Sequence, residues 1–566
     1  MVAPAPTNEG TRQGLERFGF VALSALLVAP VVTQGLWRPL GHVLGPGGTS
    51  LGLIGASLIV AGAVVVAARI ARGRAAWPLV AAAVAGIGAT RLLAPGTAGL
   101  LSLVATGAVI VLLVRHVAPR LPSAFDGLVR QHPWVAAIYA LMAVVSVIST
   151  ARVSVYLGDP DRTDLQSIPG DAFVERHSCL TAYVRAASLA RQGAVNIYSD
   201  DWWHGSNGLP ALPDGVDAPY APFALDNFSY PPPFLLVASV LAPLEGDFLA
   251  QRALWFGLNG VLVAMGLWIV AQWLRGPGAH RALLLAPLLF GSVPFLLTLQ
   301  IGNFHLVATV LTILAMVAFD RGRVATGGLL LAVTILSKIS PGILGVWLLA
   351  RRYARGIFVT AAVGALLLAV STLCFGVEPL ASFVRHALPR LSTGRAFPFI
   401  DTESGIMTNM APFGLPFKLR YLGLDIHEPW VVGQWIGRVY TAFLFGLALV
   451  AARKRGDRRE NAMTWMALLA LASLQSPFSP AYAMLALLWA TTLLAVEVRG
   501  LGGSLGLGAL WMLVLGAPPL PTPSIRVVQV LLQTVVALVA CTWLVVRPAR
   551  PPQGTTLGHI SSLSEV

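Results

Sequence analysis

Three short polar segments interrupt the long apolar stretches of this sequence, and their side chains are of types that can take part in chemistry. They are Gln300-Ile-Gly-Asn303-Phe-His305, Ser337-Lys338-Ile-Ser340-Pro341 and Gln475-Ser-Pro-Phe-Ser-Pro480. Polar groups at membrane depth are costly and tend to mark a functional cavity, and Lys338 is the sharpest case because its neighbours are apolar. A lysine at the membrane boundary can hold the phosphate of a lipid, while a nearby carboxylate acts as general base on a hydroxyl. These residue types fit group transfer from a lipid phosphate.

Each of these residues also has a structural alternative. Lys338 could snorkel to lipid headgroups from a helix end. Gln300 and Asn303 could join helices to one another or cap them. Pro477 and Pro480 are typical of helix ends and receive no functional role here.

The composition indicates which elements must position these side chains. The chain has 566 residues, of which 56% are hydrophobic and only 11% charged, with a mean hydropathy of +0.74; soluble domains carry about 25% charged residues. Apolar runs long enough to cross a bilayer recur from Phe18 almost to the C-terminus, and in lipid such runs must be helices. We therefore predict an all-α polytopic membrane protein, a helical bundle with outer-face loops and short interfacial helices.

The formal charge of +14 does not indicate nucleic acid, because the arginines form short clusters between apolar runs and no basic face with interleaved aromatics. Cys179, Cys374 and Cys541 are far apart, so the sequence shows neither a disulfide framework nor a metal-ligand spacing. No cofactor is predicted.

Basic loops set the expected orientation, because arginine and lysine accumulate on the cytoplasmic side. These loops contain Arg69/Arg72/Arg74, Arg115/Arg120/Arg130, Arg275/Arg281, Arg321/Arg323, Arg351/Arg352/Arg355 and Arg453/Lys454/Arg455/Arg458/Arg459. Candidate spans lie near residues 18–37, 50–68, 76–94, 98–114, 133–156, 252–274, 282–299, 303–319, 324–337, 341–350, 356–375, 433–452, 461–475, 480–496, 504–518 and 526–546. Both termini then lie inside, and the apolar stretch Phe234 to Leu244 is interpreted as re-entrant or interfacial.

The spans divide the chain into an accessory N-terminal bundle (1–130), a core (131–550) and a cytoplasmic tail (551–566). The Ala, Gly, Pro and Arg bias, with a retained first helix instead of a cleaved signal peptide, favours a bacterial plasma membrane protein.

Two long loops, roughly 157–231 and 376–432, remain on the outer face, where loops of this length are usually functional. The first is acidic and contains a helical pattern from Asp171 to Gln192, which predicts an amphipathic helix at the membrane surface. Asp171 and Glu175 would lie one turn apart on that helix, which makes them candidate general bases. His177 is the alternative, because its unperturbed pKa suits proton transfer.

The core resembles glycosyltransferase family 87, the polyprenyl-phosphate-sugar-dependent enzymes of the GT-C superfamily, from about residue 133 to 500. The resemblance rests on Tyr183-Val-Arg-Ala-Ala with Gly193 and Asn196-Ile-Tyr198, Phe228-Ser-Tyr230-Pro-Pro, Gln300-Ile-Gly-Asn303, and Gly327-Gly-Leu with Ser337-Lys338-Ile-Ser-Pro341. The family has an early outer-loop aspartate, and the corresponding position here reads Glu175-Arg-His177-Ser-Cys179, with Asp171 nearest. The N-terminal extension is not part of the family core.

The resemblance implies a GT-C-like fold and transfer of a sugar, often mannose, from a polyprenyl phosphate to a lipid or glycan acceptor outside the membrane. In that reading Lys338, Gln300 and Asn303 bind the donor phosphate, while Tyr183, Tyr230 and His305 line the substrate cavity; no metal is needed. The alternatives are a transporter or flippase of lipid-linked sugars, for which the expected symmetry of repeats is absent, and a catalytically inactive scaffold.

Overall fold

We analysed a computed structural model, which describes residues 35–44 (except 37), 133–203, 218–274, 291–454, 456–497, 500–516 and 520–548 (except 521). The regular elements in these ranges are helices, accompanied by an isolated β-bridge between His177 and Ala224. The predicted all-α fold class is therefore confirmed.

The helices vary from single turns to full membrane length. In chain order, the α-helices of the described residues are α1 Pro133–Gly158, α2 Ala172–Arg176, α3 Cys179–Arg191, α4 Phe234–Ala238, α5 Phe248–Leu274, α6 Val293–Ile301, α7 His305–Asp320, α8 Val324–Ser337, α9 Ile343–Ala350, α10 Ala354–Phe375, α11 Glu378–Ser382, α12 Leu388–Thr393, α13 Glu403–Thr408, α14 Leu415–Tyr421, α15 Pro429–Arg453, α16 Arg458–Ser473, α17 Leu485–Glu497, α18 Gly500–Leu510 and α19 Pro523–Val546.

Among the described residues, four helices are long and apolar enough to cross a membrane: α5, α10, α15 and α19. A fifth candidate is the pair α6 and α7, which is bent by 114°. The bend occurs at Gly302, whose φ of 70° ends α6 in the left-handed conformation. This places the polar segment Gln300 to His305 at a helix break. The number of long apolar helices shows that the chain is a multi-pass membrane protein.

The apolar stretch Phe234 to Leu244 forms α4 and a following 3₁₀ segment, Ser239–Leu244. At about 1.5 Å per residue it spans roughly 16 Å, too short for a hydrocarbon core of about 30 Å. This length is compatible with the re-entrant or interfacial interpretation.

The single amphipathic helix predicted from Asp171 to Gln192 is wrong in two respects. The chain breaks between α2 and α3 at His177, where Ala224 N donates a hydrogen bond to Arg176 O at 2.8 Å. In addition, most of α3 is buried within the protein, so it does not present one apolar and one exposed face. The helical periodicity of this segment reflects burial beneath the rest of the outer loop.

Two hydrophobic clusters organise the molecule. The larger holds the helical bundle together, with α7 packed on α8, α8 on α10, and α16 on α17 and α19. The second joins α3 to the outer loop through aromatic side chains, in which Phe234 contacts Tyr230, Tyr183 and Phe304 at ring-centroid distances of 4.6, 4.7 and 4.8 Å. The outer loop is therefore a packed layer on one end of the bundle.

Basic turns gather at the other end of the bundle. Arg458 pairs with Asp320 at 3.1 Å, and Arg351 donates to the carbonyl of Lys454 at 2.5 Å and to Asn461 at 3.1 Å. Turns that the positive-inside rule assigns to one side thus contact each other directly. We call this end the basic face.

The proposed accessory bundle and the tail lie outside the described residues, apart from residues 35–44. In that segment Arg38 donates to Gly158 O at 2.6 Å, and His42 lies 3.4 Å from Asp247. This helical segment therefore packs directly against the core.

Candidate functional site

A cavity of about 730 Å³ opens around Lys338, and we call it the lysine cavity. Its polar wall includes His305, Arg438 and Gln475, whereas Leu388, Leu391 and Phe413 belong to its apolar wall. Ligand pockets of this size, mostly apolar with a few polar groups, suit amphiphilic molecules.

Lys338 follows the last residue of α8, in the turn before α9. Its Nζ lies 4.9 Å from the ring centroid of Tyr482 and 5.7 Å from that of Tyr230, and no carboxylate of the described residues forms an ion pair with it. Burial lowers the pKa of Lys338 to about 8, because desolvation penalises the ammonium. An anion entering the cavity would meet a cation that lies over two aromatic rings.

A second cavity, of about 720 Å³, adjoins the first, and we call it the carboxylate cavity. Asp171 and Asp226 line it, together with His177, Asn303 and Arg526. Its two carboxylates differ in their partners.

Asp226 is the more accessible of the two for proton transfer. Its carboxylate lies 3.7 Å from His177 Nε2, and the two side chains are 20% and 15% exposed. Its backbone N–H donates to Thr181 Oγ1 at 3.0 Å, which fixes the loop against α3. A partly buried carboxylate beside an imidazole is an arrangement that can accept a proton and pass it on.

Asp171 has stronger competing contacts. One carboxylate oxygen pairs with Arg526 Nη2 at 3.3 Å, and the other accepts from Val174 N at 3.2 Å, capping α2. The arginine comes from α19, so this ion pair ties the outer loop to the last helix. Both contacts hold the Asp171 carboxylate in its present position.

The two cavities share a wall made of Ser229, Tyr230, Phe397, Phe478 and Tyr482. The wall is held from behind, since the Tyr230 hydroxyl lies 2.8 Å from that of Tyr183 and the Tyr230 carbonyl accepts from Tyr198 at 2.8 Å. Asn409 holds the loop carrying Phe478, donating to Pro477 O at 2.9 Å and accepting from Ser479 N at 3.0 Å. The lysine cavity and the carboxylate cavity therefore adjoin at this wall.

The structure places the residues predicted from the sequence in three groups. In the lysine cavity are Lys338 and His305, whose Nε2 lies 3.1 Å from Ser473 Oγ. In the carboxylate cavity are Asp171, His177 and Asn303, and Tyr230 lines both cavities. Glu175, Gln300 and Tyr183 line neither.

Those three have structural partners instead. Glu175 accepts from Gln166 at 3.0 Å, and Gln300 accepts from Ser167 N at 2.6 Å, which anchors the loop before α2. Tyr183 accepts from Phe304 N at 3.1 Å and supports Tyr230 from the aromatic cluster. They position the cavity walls from outside.

Sequence reasoning did not single out Asp226, Tyr482 or Arg526. Asp226 lies two residues before the Phe228-Ser-Tyr230 segment, which was the one available signal. His177 and Arg526 are too distant in sequence from their partners for spacing to reveal either pairing.

The family model of glycosyltransferase family 87 matches residues 228–481. No curated protein and no solved structure matches the chain. The matched segment contains Tyr230, Asn303 and Lys338 and confirms the resemblance found in the sequence, while Asp226 lies just before its first residue. The chain is therefore a multi-pass membrane protein in which residues 228–481 match the model of glycosyltransferase family 87.

Proposed function

We propose that this protein transfers a sugar, mannose in the first instance, from a polyprenyl phosphate to a hydroxyl group of a lipid or glycan acceptor on the extracytoplasmic face of a bacterial plasma membrane. The observation that carries the proposal is the pair of adjoining cavities, with an ammonium in one and carboxylates in the other. The family match supports the reaction class. The donor, the acceptor and the roles of individual residues belong to the proposal.

The lysine cavity suits the donor. Lys338 pairs with the phosphate, which is the leaving group, and the apolar side chains near Leu388 and Phe413 accept the first isoprene units. A nucleotide donor brings a metal ion that stabilises the negative charge of its leaving group. The leaving group here is a lipid phosphate, and the ammonium of Lys338 alone stabilises its charge.

The carboxylate cavity suits the acceptor. Asp226 removes the proton of the acceptor hydroxyl as its oxygen attacks the anomeric carbon. The bond between that carbon and the phosphate oxygen breaks, its electron pair stays on polyprenyl phosphate, and the configuration inverts. His177, 3.7 Å away, receives the proton from Asp226.

Asp171 is the second candidate for the base, because it lines the same cavity. Its ion pair with Arg526 and its capping bond to Val174 favour a positioning role. Asp226 is preferred because the imidazole of His177, which can carry a proton, lies 3.7 Å from its carboxylate.

The test is sugar transfer in proteoliposomes, using radiolabelled polyprenyl-phosphate-mannose and a set of lipid acceptors, with movement of the donor across the bilayer measured in parallel. We expect labelled acceptor and released polyprenyl phosphate, both lost in Asp226→Asn. Donor movement without transfer would instead support the flippase, and neither process would support an inactive scaffold.

A further inference from the structure

His177, Cys179 and Asp226 offer three metal-ligating atoms that all lie within 4.8 Å of one another. Cys179 Sγ is 3.3 Å from His177 Nε2, and His177 Nε2 is 3.7 Å from Asp226 Oδ2. Asp226 is distant from His177 and Cys179 in the sequence, and the fold brings the three together. The sequence therefore shows no metal-ligand spacing here.

Two of the three ligand-atom distances are close to those around a tetrahedral divalent cation. With zinc–nitrogen bonds of about 2.0 Å and zinc–sulfur bonds of about 2.3 Å, neighbouring ligand atoms are roughly 3.3–3.5 Å apart. The two distances given above therefore need shifts of only a few tenths of an ångström. Three protein ligands leave a fourth position, and all three side chains line the carboxylate cavity, so that position faces the cavity.

The backbone holds the three residues together without a metal. His177 forms its β-bridge with Ala224, two residues before Asp226, and the Asp226 N–H donates to Thr181 Oγ1, two residues after Cys179. The site is therefore preorganised, which reduces the conformational cost of binding an ion.

The charge and the hydrogen bonding of the three ligands also suit a divalent cation. A divalent cation with one thiolate, one carboxylate and a neutral imidazole has no net charge, which makes its burial inexpensive. Asn303 Nδ2 donates to Cys179 Sγ at 3.2 Å, a contact that supports a thiolate ligand in the second coordination shell. A thiolate with an imidazole selects zinc-like ions over magnesium or calcium.

We propose that His177, Cys179 and Asp226 bind a thiophilic divalent cation of the Zn²⁺ class, and that the bound ion stops sugar transfer. The inhibition rests on the proposed function, because the ion takes the carboxylate that would accept the acceptor proton. The binding itself is independent of any activity.

Binding is tested with Co²⁺, a spectroscopic substitute for Zn²⁺, added to the metal-stripped full-length protein in nanodiscs. We expect one equivalent of Co²⁺ to produce a thiolate-to-cobalt charge-transfer band and tetrahedral visible bands, and Zn²⁺ to abolish both. Cys179→Ser and Cys179→Ala should lose the charge-transfer band. His177→Ala and Asp226→Asn should weaken binding at least tenfold.

Cys374→Ser and Cys541→Ser are the matched controls, since both thiols lie elsewhere in the structure, and they should keep the full spectrum. Absence of the band from the wild type, or its persistence in both Cys179 variants when these elute as folded protein, overturns the site. In the transfer assay, one equivalent of bound Zn²⁺ should lower the rate at least tenfold. Spectroscopic binding with an unchanged rate would retain the site and overturn the inhibition, together with the role of Asp226 as base.

Discussion

The imidazole of His177 lies 3.7 Å from the carboxylate of Asp226, although the two residues are far apart in sequence. The contact exists because the chain breaks at His177 and pairs there with Ala224. The break that divides the predicted interfacial helix is therefore also what assembles the proposed proton-accepting pair.

Replacing Asp226 should have the largest effect of any outer-loop carboxylate. We expect Asp226→Asn to reduce transfer by roughly a hundredfold to ten-thousandfold while donor binding is retained, because general-base catalysis contributes roughly 10²–10⁴ in rate. Asp171→Asn should cost only severalfold, through its contact with Arg526. Asp201→Asn, an exposed carboxylate of the same loop, is the control. An inactive Asp171→Asn beside an active Asp226→Asn would exchange the two roles.

Lys338→Ala should weaken binding of polyprenyl phosphate about tenfold to a hundredfold, since a charge-assisted contact contributes about 1.5–3 kcal/mol. The measurement is equilibrium binding of radiolabelled polyprenyl phosphate to the purified protein. Lys454→Ala is the matched control, because Lys454 lies at the basic face and donates to the carbonyl of Leu544 at 3.4 Å. Equal affinity of wild type and Lys338→Ala would return Lys338 to a snorkelling role.

Donor capture should depend on pH through Lys338. Its pKa is lowered to about 8, so the ammonium is present below that pH and is lost as the pH rises through it. The value of kcat/KM, which reports the free enzyme, should therefore fall above about pH 8. Lys338→Arg should move this decline to higher pH, because a guanidinium stays protonated. If kcat/KM of Lys338→Arg falls at the same pH as that of the wild type, the titrating group is not Lys338.

The orientation can be measured by cysteine labelling in intact cells, in a Cys374→Ser background that removes an exposed native thiol. A cysteine at Asp425, which is 85% exposed between α14 and α15, should react with a membrane-impermeant reagent. One at Arg321, exposed on the basic face, should react only after the cells are opened. Labelling in the opposite order would invert the topology and place the cavities inside. A cysteine at Gly208 is also expected to react from outside, but this residue lies outside the described residues.

The backbone conformation at position 302 favours glycine. A side chain there meets a left-handed φ of 70°, which costs roughly 1–2 kcal/mol, and its Cβ would lie 3.3 Å from Trp255 Cδ1. Gly302→Ala should lower the thermal unfolding temperature in detergent. Gly446→Ala, in the open interior of α15 with no atom near the new Cβ, should leave it unchanged or raise it.

The sequence predicted the helical bundle well because hydropathy governs it, and the predicted span 324–337 has the same bounds as α8. Lys338, Tyr230 and His305 could be selected because polar residues in apolar surroundings stand out. The sequence did not predict the break at His177, since helical periodicity continues across it. Nor did it predict the pairs His177–Asp226 and Asp171–Arg526, which depend on how the outer loop folds over the bundle.

The links between turns at the basic face have a mechanical consequence. Arg351 connects its turn to Lys454 and Asn461, and Arg458 connects to Asp320, so the helix ends there are fastened crosswise. At the cavity end, the outer loop contacts the helices through aromatic side chains and through the ion pairs Asp171–Arg526 and Asp200–Arg390. The polar links at the basic face tie helix ends directly to one another, whereas the ion pairs at the cavity end tie loop segments to helices, so a bulky lipid should enter by separation of the helices at the cavities.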